Sequence, residues 1–193
     1  MGMLGASRAC AQLNELTVVP VCADSEHLPF GDGTLAFVFG AGFLHHLTDE
    51  AAHFCEVHRV LAPGGMYLLF REPQSFGSEL INRIARIMTF LPGLLARVVG
   101  RGSKVTYEHE QGKTYSFRQL KAYGEQSGLT TVCIRRHSFF HSLHWLMWTR
   151  LERFSQPARV FNRLQPLASS LDAILAPIIP RVCYYEVSAC FRK

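Results

Sequence analysis

Residues 21–47 have the sequence VCADSEHLPFGDGTLAFVFGAGFLHHL. Two short apolar runs in this stretch each end in residues whose types could do chemistry. These residues are Asp24 after the first run and, after the second, Gly40, Ala41, Gly42, His45 and His46. A carboxylate accepts hydrogen bonds from amines, glycine lets a ligand approach the backbone, and imidazole takes up a proton near neutral pH. The spacing therefore predicts a ligand site, with the alternative that Asp24 only ends a strand and one histidine only packs.

A strand–helix–strand pattern positions these residues. Residues 34–42 and 66–70 are continuous apolar runs, which predict strands buried on both faces. The helix predicted between them begins at Thr48 as its cap and carries Phe54, Val57 and Leu61 on its inner face. Such a βαβ unit has parallel strands, and ligands bind where their carboxyl ends meet. We therefore expect the candidate residues at that rim.

The remaining chain predicts further helices and strands around the same sheet. Residues 17–24 predict an edge strand, because Pro20 cannot donate to a ladder. Ser116 and Gln119 resemble a capping box that opens a helix ending near Gly128, and strands are predicted at 130–136 and 182–192. The fold class is therefore α/β: one domain over 1–193, with a mostly parallel sheet. Helical insertions are predicted at 76–113 and 142–176.

Composition favours a packed globule. Of 193 residues, 48% are hydrophobic and 18% are charged. The sequence has no secretory signal pattern and no apolar run long enough to span a membrane. Its six cysteines form no C-x-x-C pattern, and those in predicted strands or helices are expected to be small buried hydrophobes. These features predict a reducing, cytoplasmic environment and no metal site.

An ordered series of short motifs runs through residues 24–73. The series is Asp24, Leu28-Pro29-Phe30, His45-His46, Glu56, Arg59-Val60-Leu61, Pro63-Gly64-Gly65 and Glu72-Pro73. This pattern closely resembles the class I S-adenosylmethionine-dependent methyltransferases, particularly the small-molecule group called methyltransferase type 11. The resemblance covers residues 6–73 well and 114–193 loosely. It implies an incomplete Rossmann-like, doubly wound sheet that is mostly parallel and has an antiparallel C-terminal strand. It also implies that the helical insertions at 76–113 and 142–176 form a lid over the acceptor side.

The resemblance implies a role for each candidate residue. Asp24 would accept a hydrogen bond from the adenine amino group of S-adenosylmethionine, with the Ser25 amide facing the ring. Leu28 or Phe30 would border the adenine. The Gly40-Ala41-Gly42 segment would pass under the methionine part of the cofactor, and His45 or His46 would face the reacting methyl group or act as a base.

The chain also departs from the family pattern. The family begins with a strand and a G-x-G-x-G loop, followed by a strand that ends in a ribose-binding acid; here Gly5 stands in the place of that acid. Ala36 replaces the aspartate usual at the start of the buried strand. An N-terminally truncated domain would leave a central apolar strand with an open edge. Three explanations stay open: a misplaced start or truncated gene, a separate chain that supplies the missing half, or a non-catalytic remnant.

The predicted function is methyl transfer to a small hydrophobic, lipid-like acceptor. The alternative is a non-catalytic remnant or partner subunit that forms homo- or hetero-oligomers through its open sheet edge. Residues 79–104 place Leu80, Ile84, Ile87 and Met88 on one stripe among arginines, which predicts either a cover on the sheet or a peripheral membrane surface. Because leucine and isoleucine separate the basic residues, no nucleic-acid partner is predicted.

Some neighbouring side chains are predicted to have minor structural roles. His53 and His58 are expected on the solvated face of the predicted helix. Glu56 and Arg59, three residues apart, are expected to form a helix-surface pair that contributes a few tenths of a kcal/mol.

Overall fold

The order of helices and strands agrees with the sequence pattern from residue 34 onward. The structure, a computed structural model, describes residues 11–98, 112–151 and 163–193. Its strands and α-helices are, in chain order, β1 (Leu35–Ala41), α1 (Glu50–Val60), β2 (Leu61–Pro73), α2 (Ser75–Val98), α3 (Phe117–Gln126), β3 (Thr130–His137), α4 (Phe140–Leu151), α5 (Gln165–Leu175) and β4 (Glu186–Arg192). Short 3₁₀ turns lie at Leu44–His46 and Arg181–Cys183.

The strands form one sheet of order β1-β2-β4-β3. β1 pairs with β2 in parallel, whereas β4 is antiparallel to both β2 and β3. β1, β2 and β3 therefore point the same way, and β4 alone opposes them. This confirms the predicted α/β fold, with a mostly parallel sheet and an antiparallel C-terminal strand. The carboxyl ends of β1 and β2 are neighbours at one rim, where this type of sheet binds ligands.

Helix α1 makes the crossover from β1 to β2 and covers one face of the sheet. Phe54 and Val57 are 0% exposed there, as their spacing predicts, whereas Leu61, which is also 0% exposed, is the first residue of β2 and not part of the helix. The cap is Asp49 rather than Thr48: the Asp49 carboxylate accepts a hydrogen bond from the Ala52 N–H over 2.9 Å. Both residue types cap well, and the helix begins one residue later than the sequence predicts.

Helix α3 packs beside α1 on the same face. The capping box is confirmed, because the Ser116 side chain accepts from the Gln119 N–H while the Gln119 side chain accepts from the Ser116 N–H. The chain leaves the helix at Gly128, whose φ of +87° favours glycine. Gly124 lies against the ring of Phe191 on β4, so the two layers approach closely.

Strand β1 is an edge strand of the sheet that the described residues form. Phe37 and Phe39 on β1 are each 54% exposed, so the prediction of burial on both faces is wrong. The edge strand predicted over residues 17–24 does not form. Residues 17–23 are not in a strand, and Asp24 makes only an isolated bridge to His27. A strand needs a hydrogen-bonded partner, and none of the described residues supplies one at this edge.

Helix α2 packs through a different stripe from the predicted one. Ile81 and Ala85 are 0% exposed and lie near Leu146 of α4, whereas Ile87 and Met88 are 75% and 49% exposed. The side of α2 that carries Ile81 and Ala85 also carries Gly77. A Cβ atom at Gly77 would collide with the Tyr184 carbonyl, so the helix packs closely against that segment on this side. No helix within the described ranges combines the length and hydropathy needed to cross a membrane.

Candidate functional site at the carboxyl rim of the sheet

The Glu72 carboxylate lies at the end of β2 and organises the turn that follows β1. The side chain is 0% exposed. Its Oε1 atom accepts the N–H groups of Phe43 at 2.9 Å and Leu44 at 3.0 Å, and its Oε2 atom accepts the N–H of His45 at 3.4 Å. Glu72 thus binds the backbone N–H groups at the start of the Leu44–His46 turn, which have no partner within the turn itself, as a capping carboxylate does.

The two adjacent histidines have different environments. His45 Nδ1 donates to Glu72 Oε2 over 2.8 Å, and the His45 side chain is 17% exposed. A Cβ atom at Gly112 would lie 2.6 Å from the His45 ring, so the chain before α3 closes over it. His46 is exposed, and its ring centroid lies 4.0 Å from that of His45. Of the two, His46 is therefore the one open to a reacting group.

Lys113 also stabilises the turn between β1 and α1. Its Nζ atom donates to the carbonyl oxygens of Leu47 at 2.9 Å and Thr48 at 3.1 Å, and lies 3.0 Å from the Glu50 carboxylate. The Tyr115 hydroxyl donates to Glu50 over 2.9 Å. The β1–α1 turn is thus fixed by side chains from β2 and from the segment before α3.

Asp24 lies on the loop that precedes β1 and faces solvent. Its Oδ1 atom accepts the Glu26 N–H over 2.9 Å, and its side chain is 62% exposed. This backbone hydrogen bond, together with His27 at 3.4 Å, holds the pKa of the Asp24 carboxyl below its usual value. An exposed, ionised carboxylate suits an amine donor on a ligand.

Glu56 and Arg59 of α1 hold the rest of this loop. The Leu28 N–H donates to Glu56 Oε1 over 2.7 Å, and Arg59 donates to the carbonyl oxygens of Leu28 and Phe30 at 3.1 and 3.0 Å. Arg59 also pairs with Asp32 and Glu56. The pair is therefore more than the helix-surface contact expected from its spacing, because it fixes the backbone of a distant loop. Leu28 packs against the core, while Phe30 is 41% exposed.

His53 is buried and bridges the loop to the core, so its predicted solvated position is wrong. It is 3% exposed; its Nδ1 atom lies 2.9 Å from the Ser25 carbonyl oxygen and its Nε2 atom 3.0 Å from the Tyr67 hydroxyl. Because a carbonyl only accepts, Nδ1 donates and Nε2 accepts from Tyr67. Burial lowers the pKa of His53, which the Ser25 carbonyl opposes. The neutral ring is the form that fits this bridge.

Phe43 connects this bridge to the glycines after β1. Its ring packs edge-on to His53 with centroids 5.1 Å apart, and a Cβ atom at Gly40 would collide with it. Gly42, with φ +57°, donates its N–H to the Phe70 carbonyl of β2 over 2.9 Å. Ala41, the exposed last residue of β1, lies between them. The Ser25 loop and the glycine segment therefore lie on the same side of the molecule, joined through His53 and Phe43.

The sequence pattern does not identify the residues that organise this rim. It contains Glu72 only as part of a family motif and predicts a solvated position for His53. The residues that donate to Glu72 lie 27–29 residues away in the chain, and Ser25, which accepts from His53, lies 28 residues away. No local spacing reveals these contacts. Gly5, where the ribose-binding acid is expected, lies outside the described residues. No group of three metal-ligating side chains occurs within the described ranges.

The sequence of this chain is similar to known methyltransferase sequences. Residues 1–69 match the family model described as a methyltransferase domain. The ubiquinone/menaquinone biosynthesis C-methyltransferase UbiE of Haemophilus ducreyi is 26% identical over 126 residues, which make up 65% of this chain and 45% of that protein. The matched region therefore spans less than half of that relative's length.

Solved structures share the fold over nearly the whole chain. A Bacillus halodurans protein assigned as a methyltransferase has a TM-score of 0.56 at 17% identity, covering 99% of this chain and 78% of that one. The cyclase SpnF has a TM-score of 0.58 at 15% identity, covering 98% and 62%. At such identities the likeness concerns the fold alone. Residues 1–69 thus carry the sequence pattern of the methyltransferase domain family, and the chain has the fold of the class I S-adenosylmethionine-dependent methyltransferases.

Proposed function

We propose that this chain binds the adenine end of S-adenosylmethionine at the carboxyl rim of its sheet and takes part in methyl transfer to a small hydrophobic acceptor. The observation that carries the proposal is the bridge of His53 and Phe43, which holds the Ser25 loop and the Gly40–Gly42 segment on one side of the molecule. Binding groups for two ends of one ligand need this kind of fixed relative placement.

The residues at this rim fit the adenine end of the cofactor. The ionised Asp24 carboxylate is exposed, with its Oδ2 atom held only by a 3.4 Å contact to His27. That oxygen is available to an exocyclic amine, and the exposed ring of Phe30 offers an apolar surface on the same loop. Glu56 and Arg59 fix this loop before any ligand arrives, so little ordering entropy is lost on binding.

The chemistry at the acceptor side needs orientation and, for a hydroxyl or carbon acid, a base. S-adenosylmethionine, when bound, supplies a methyl group on a sulfonium sulfur. We assign the base role to His46, because His45 is already committed to Glu72. UbiE acts in quinone biosynthesis, which favours an apolar, carbonyl-bearing acceptor for this chain.

Calorimetric titration with S-adenosylmethionine tests the cofactor site. We expect the wild-type chain to bind with micromolar affinity and Asp24→Asn to bind about tenfold more weakly, because a hydrogen bond to a charged group is lost. The asparagine oxygen still accepts the Glu26 N–H, so the turn itself is kept.

Glu125→Gln is the matched control, since it neutralises an exposed carboxylate that pairs with Lys121 on α3. It should leave the affinity unchanged. Equal affinities for Asp24→Asn and wild type would remove Asp24 from the site. The absence of heat at millimolar ligand would overturn the proposal for this chain.

The open edge of β1 favours a second candidate function, a partner subunit. Phe37 and Phe39 lie on this edge strand and are more than half exposed. Edge strands of this kind readily pair with another chain. This candidate predicts self-association or capture of a second polypeptide, with no binding of S-adenosylmethionine by the chain alone. Sedimentation analysis beside the titration distinguishes the two functions.

The outward face of α2 supports the proposed peripheral membrane contact. Phe76, Ile87 and Phe90 are 53%, 75% and 67% exposed and lie on the side of the helix opposite Ile81 and Ala85. Arg83 and Arg86 are exposed on the same helix. Apolar side chains flanked by cations are what interfacial helices present to anionic lipid, and a lipid-like acceptor would be met there.

Vesicle co-sedimentation tests this contact. The chain is expected to bind phosphatidylglycerol-containing vesicles, more weakly at high salt, and the double variant Ile87→Asp/Phe90→Asp should lose at least about tenfold in binding because two apolar side chains no longer insert. Val19→Asp, a change at an 81% exposed position away from α2, is the control. Equal binding by all three proteins would contradict a lipid-facing role of this helix.

A further inference from the structure

The described cysteines are more exposed than the sequence predicts. Cys22, Cys55 and Cys133 are exposed, and Cys183 and Cys190 are half-buried, with all five present as free thiols. The expectation of small buried hydrophobes is therefore wrong for most of them. Cys133 and Cys190 differ from the others because they occupy facing positions on neighbouring strands.

Cys133 of β3 is the register partner of Cys190 of β4. The two strands are antiparallel, and directly opposite residues in such a pair have Cα atoms about 4.5–5.5 Å apart with both side chains on the same face. Disulfides occur at Cα separations of about 4.4–6.8 Å. The register pairing therefore places the two Cα atoms at a separation that a disulfide can span.

The pair faces away from the main core. Ala189 and Phe191, the chain neighbours of Cys190, are 1% and 0% exposed and belong to the core beneath α1 and α3. Because side chains alternate along a strand, Cys190 points to the opposite face. β3 is an edge strand of the described sheet, and the register shifts between Thr131 and Cys133, which makes Val132 a bulged residue. A small thiol reagent can thus approach from the open side.

We propose that Cys133 and Cys190 form a redox-active dithiol that closes to an intramolecular disulfide by exchange with a small-molecule disulfide such as glutathione disulfide. In the first step the Cys133 thiolate attacks one glutathione sulfur, the glutathione S–S bond breaks, and one glutathione leaves and takes up a proton. In the second step the Cys190 thiolate attacks Cys133 Sγ and releases the second glutathione. The two protein thiols are oxidised by two electrons and glutathione disulfide is reduced to two thiols.

The environments of the two thiols set the order of these steps. Cys133 is the more accessible thiol. Burial, followed by the charge on Cys133, raises the pKa of Cys190, so Cys190 is the poorer first nucleophile. Cys133 is therefore the attacking thiol and Cys190 the resolving one. The resulting bond would fasten the edge strand β3 to the final strand, at the end of the sheet far from the Asp24 loop.

The test uses the full chain in an oxidising glutathione buffer, trapped with N-ethylmaleimide and analysed by peptide mass spectrometry. The expected result is a Cys133–Cys190 disulfide in more than half of the molecules. Cys190→Ser should accumulate glutathione on Cys133, while Cys133→Ser should leave Cys190 reduced. Cys22→Ser and Cys55→Ser, at exposed thiols, are the controls and should not change the yield.

Two results would overturn the proposal. One is the absence of this disulfide in a folded chain whose Cys22 and Cys55 have reacted with glutathione. The other is an equal yield in urea, where the strands no longer hold the thiols opposite each other. Neither result depends on binding of S-adenosylmethionine, so the proposed function stands or falls separately.

Discussion

Replacing Glu72 with alanine is expected to lower the free energy of unfolding by about 3 kcal/mol or more. The carboxylate is 0% exposed and accepts from the N–H groups of Phe43 and Leu44 and from the side chain of His45. Its removal leaves several buried donors unpaired, and each costs about 1–3 kcal/mol. Against a total stability of about 5–15 kcal/mol this is a large loss. Urea unfolding followed by circular dichroism measures it.

Two further variants identify the cause of this loss. Glu72→Gln keeps one carbonyl oxygen for the Phe43 and Leu44 donors and places an amide near His45, so an intermediate loss is expected. Glu79→Ala removes an exposed carboxylate paired with Arg83 on α2 and should cost about 0.5 kcal/mol or less. If Glu72→Ala were no more destabilising than Glu79→Ala, the carboxylate would not hold the turn after β1.

The sequence alone predicts those elements whose formation depends on residues close together in the chain. The buried Phe54 and Val57 of α1 follow helical spacing, and burial of one face of the helix determines their position. The Ser116–Gln119 capping box spans three residues and forms wherever a helix begins there. Local hydrogen bonds and one-sided burial are encoded within such short windows, so these predictions are confirmed.

The errors arise where distant segments decide the outcome. Helix α2 has an apolar stripe, but close packing of Gly77 against Tyr184 places the side of the helix with Ile81 and Ala85 in the interior instead. His53 resembles a surface histidine until the Ser25 carbonyl and the Tyr67 hydroxyl meet it from two other elements. Residues 17–23 have strand-forming residues but lack a ladder partner among the described residues. Each case depends on tertiary contacts that a single sequence does not display.

The same difference between local and long-range contacts applies to the candidate site. Asp24 and the glycines at 40 and 42 were identified from residue type and family pattern, whereas the groups that hold them in place were not. His53, Glu56 and Arg59 lie on α1 and fasten the Asp24 loop, while Glu72 on β2 fastens the turn after β1. The βαβ unit therefore supplies both the strand ends and the side chains that orient the loops beyond them.

Stability is expected to depend on pH through His53, and His53→Gln should remove that dependence. Burial lowers the pKa of His53 in the folded chain, so below its ordinary value of about 6.5 the unfolded chain binds more protons. Protonation then favours unfolding. The stability provided by the neutral bridge is fully present above about pH 6.5 and is lost as the pH falls, by at most about 1.4 kcal/mol per pH unit.

The measurement is the free energy of unfolding of wild type and His53→Gln between pH 5 and pH 7. Glutamine can donate to Ser25 and accept from Tyr67 but does not titrate, so we expect it to cost about 1–2 kcal/mol at pH 7 and less at pH 5. His58 and His141, whose pKa values burial also lowers, are present in both proteins and cancel in the difference. The same substitution at exposed His46 is the control for removal of a histidine. A difference that stays constant from pH 7 to pH 5 would mean that His53 binds its proton equally in both states, and the neutral bridge would then not be what holds the Ser25 loop.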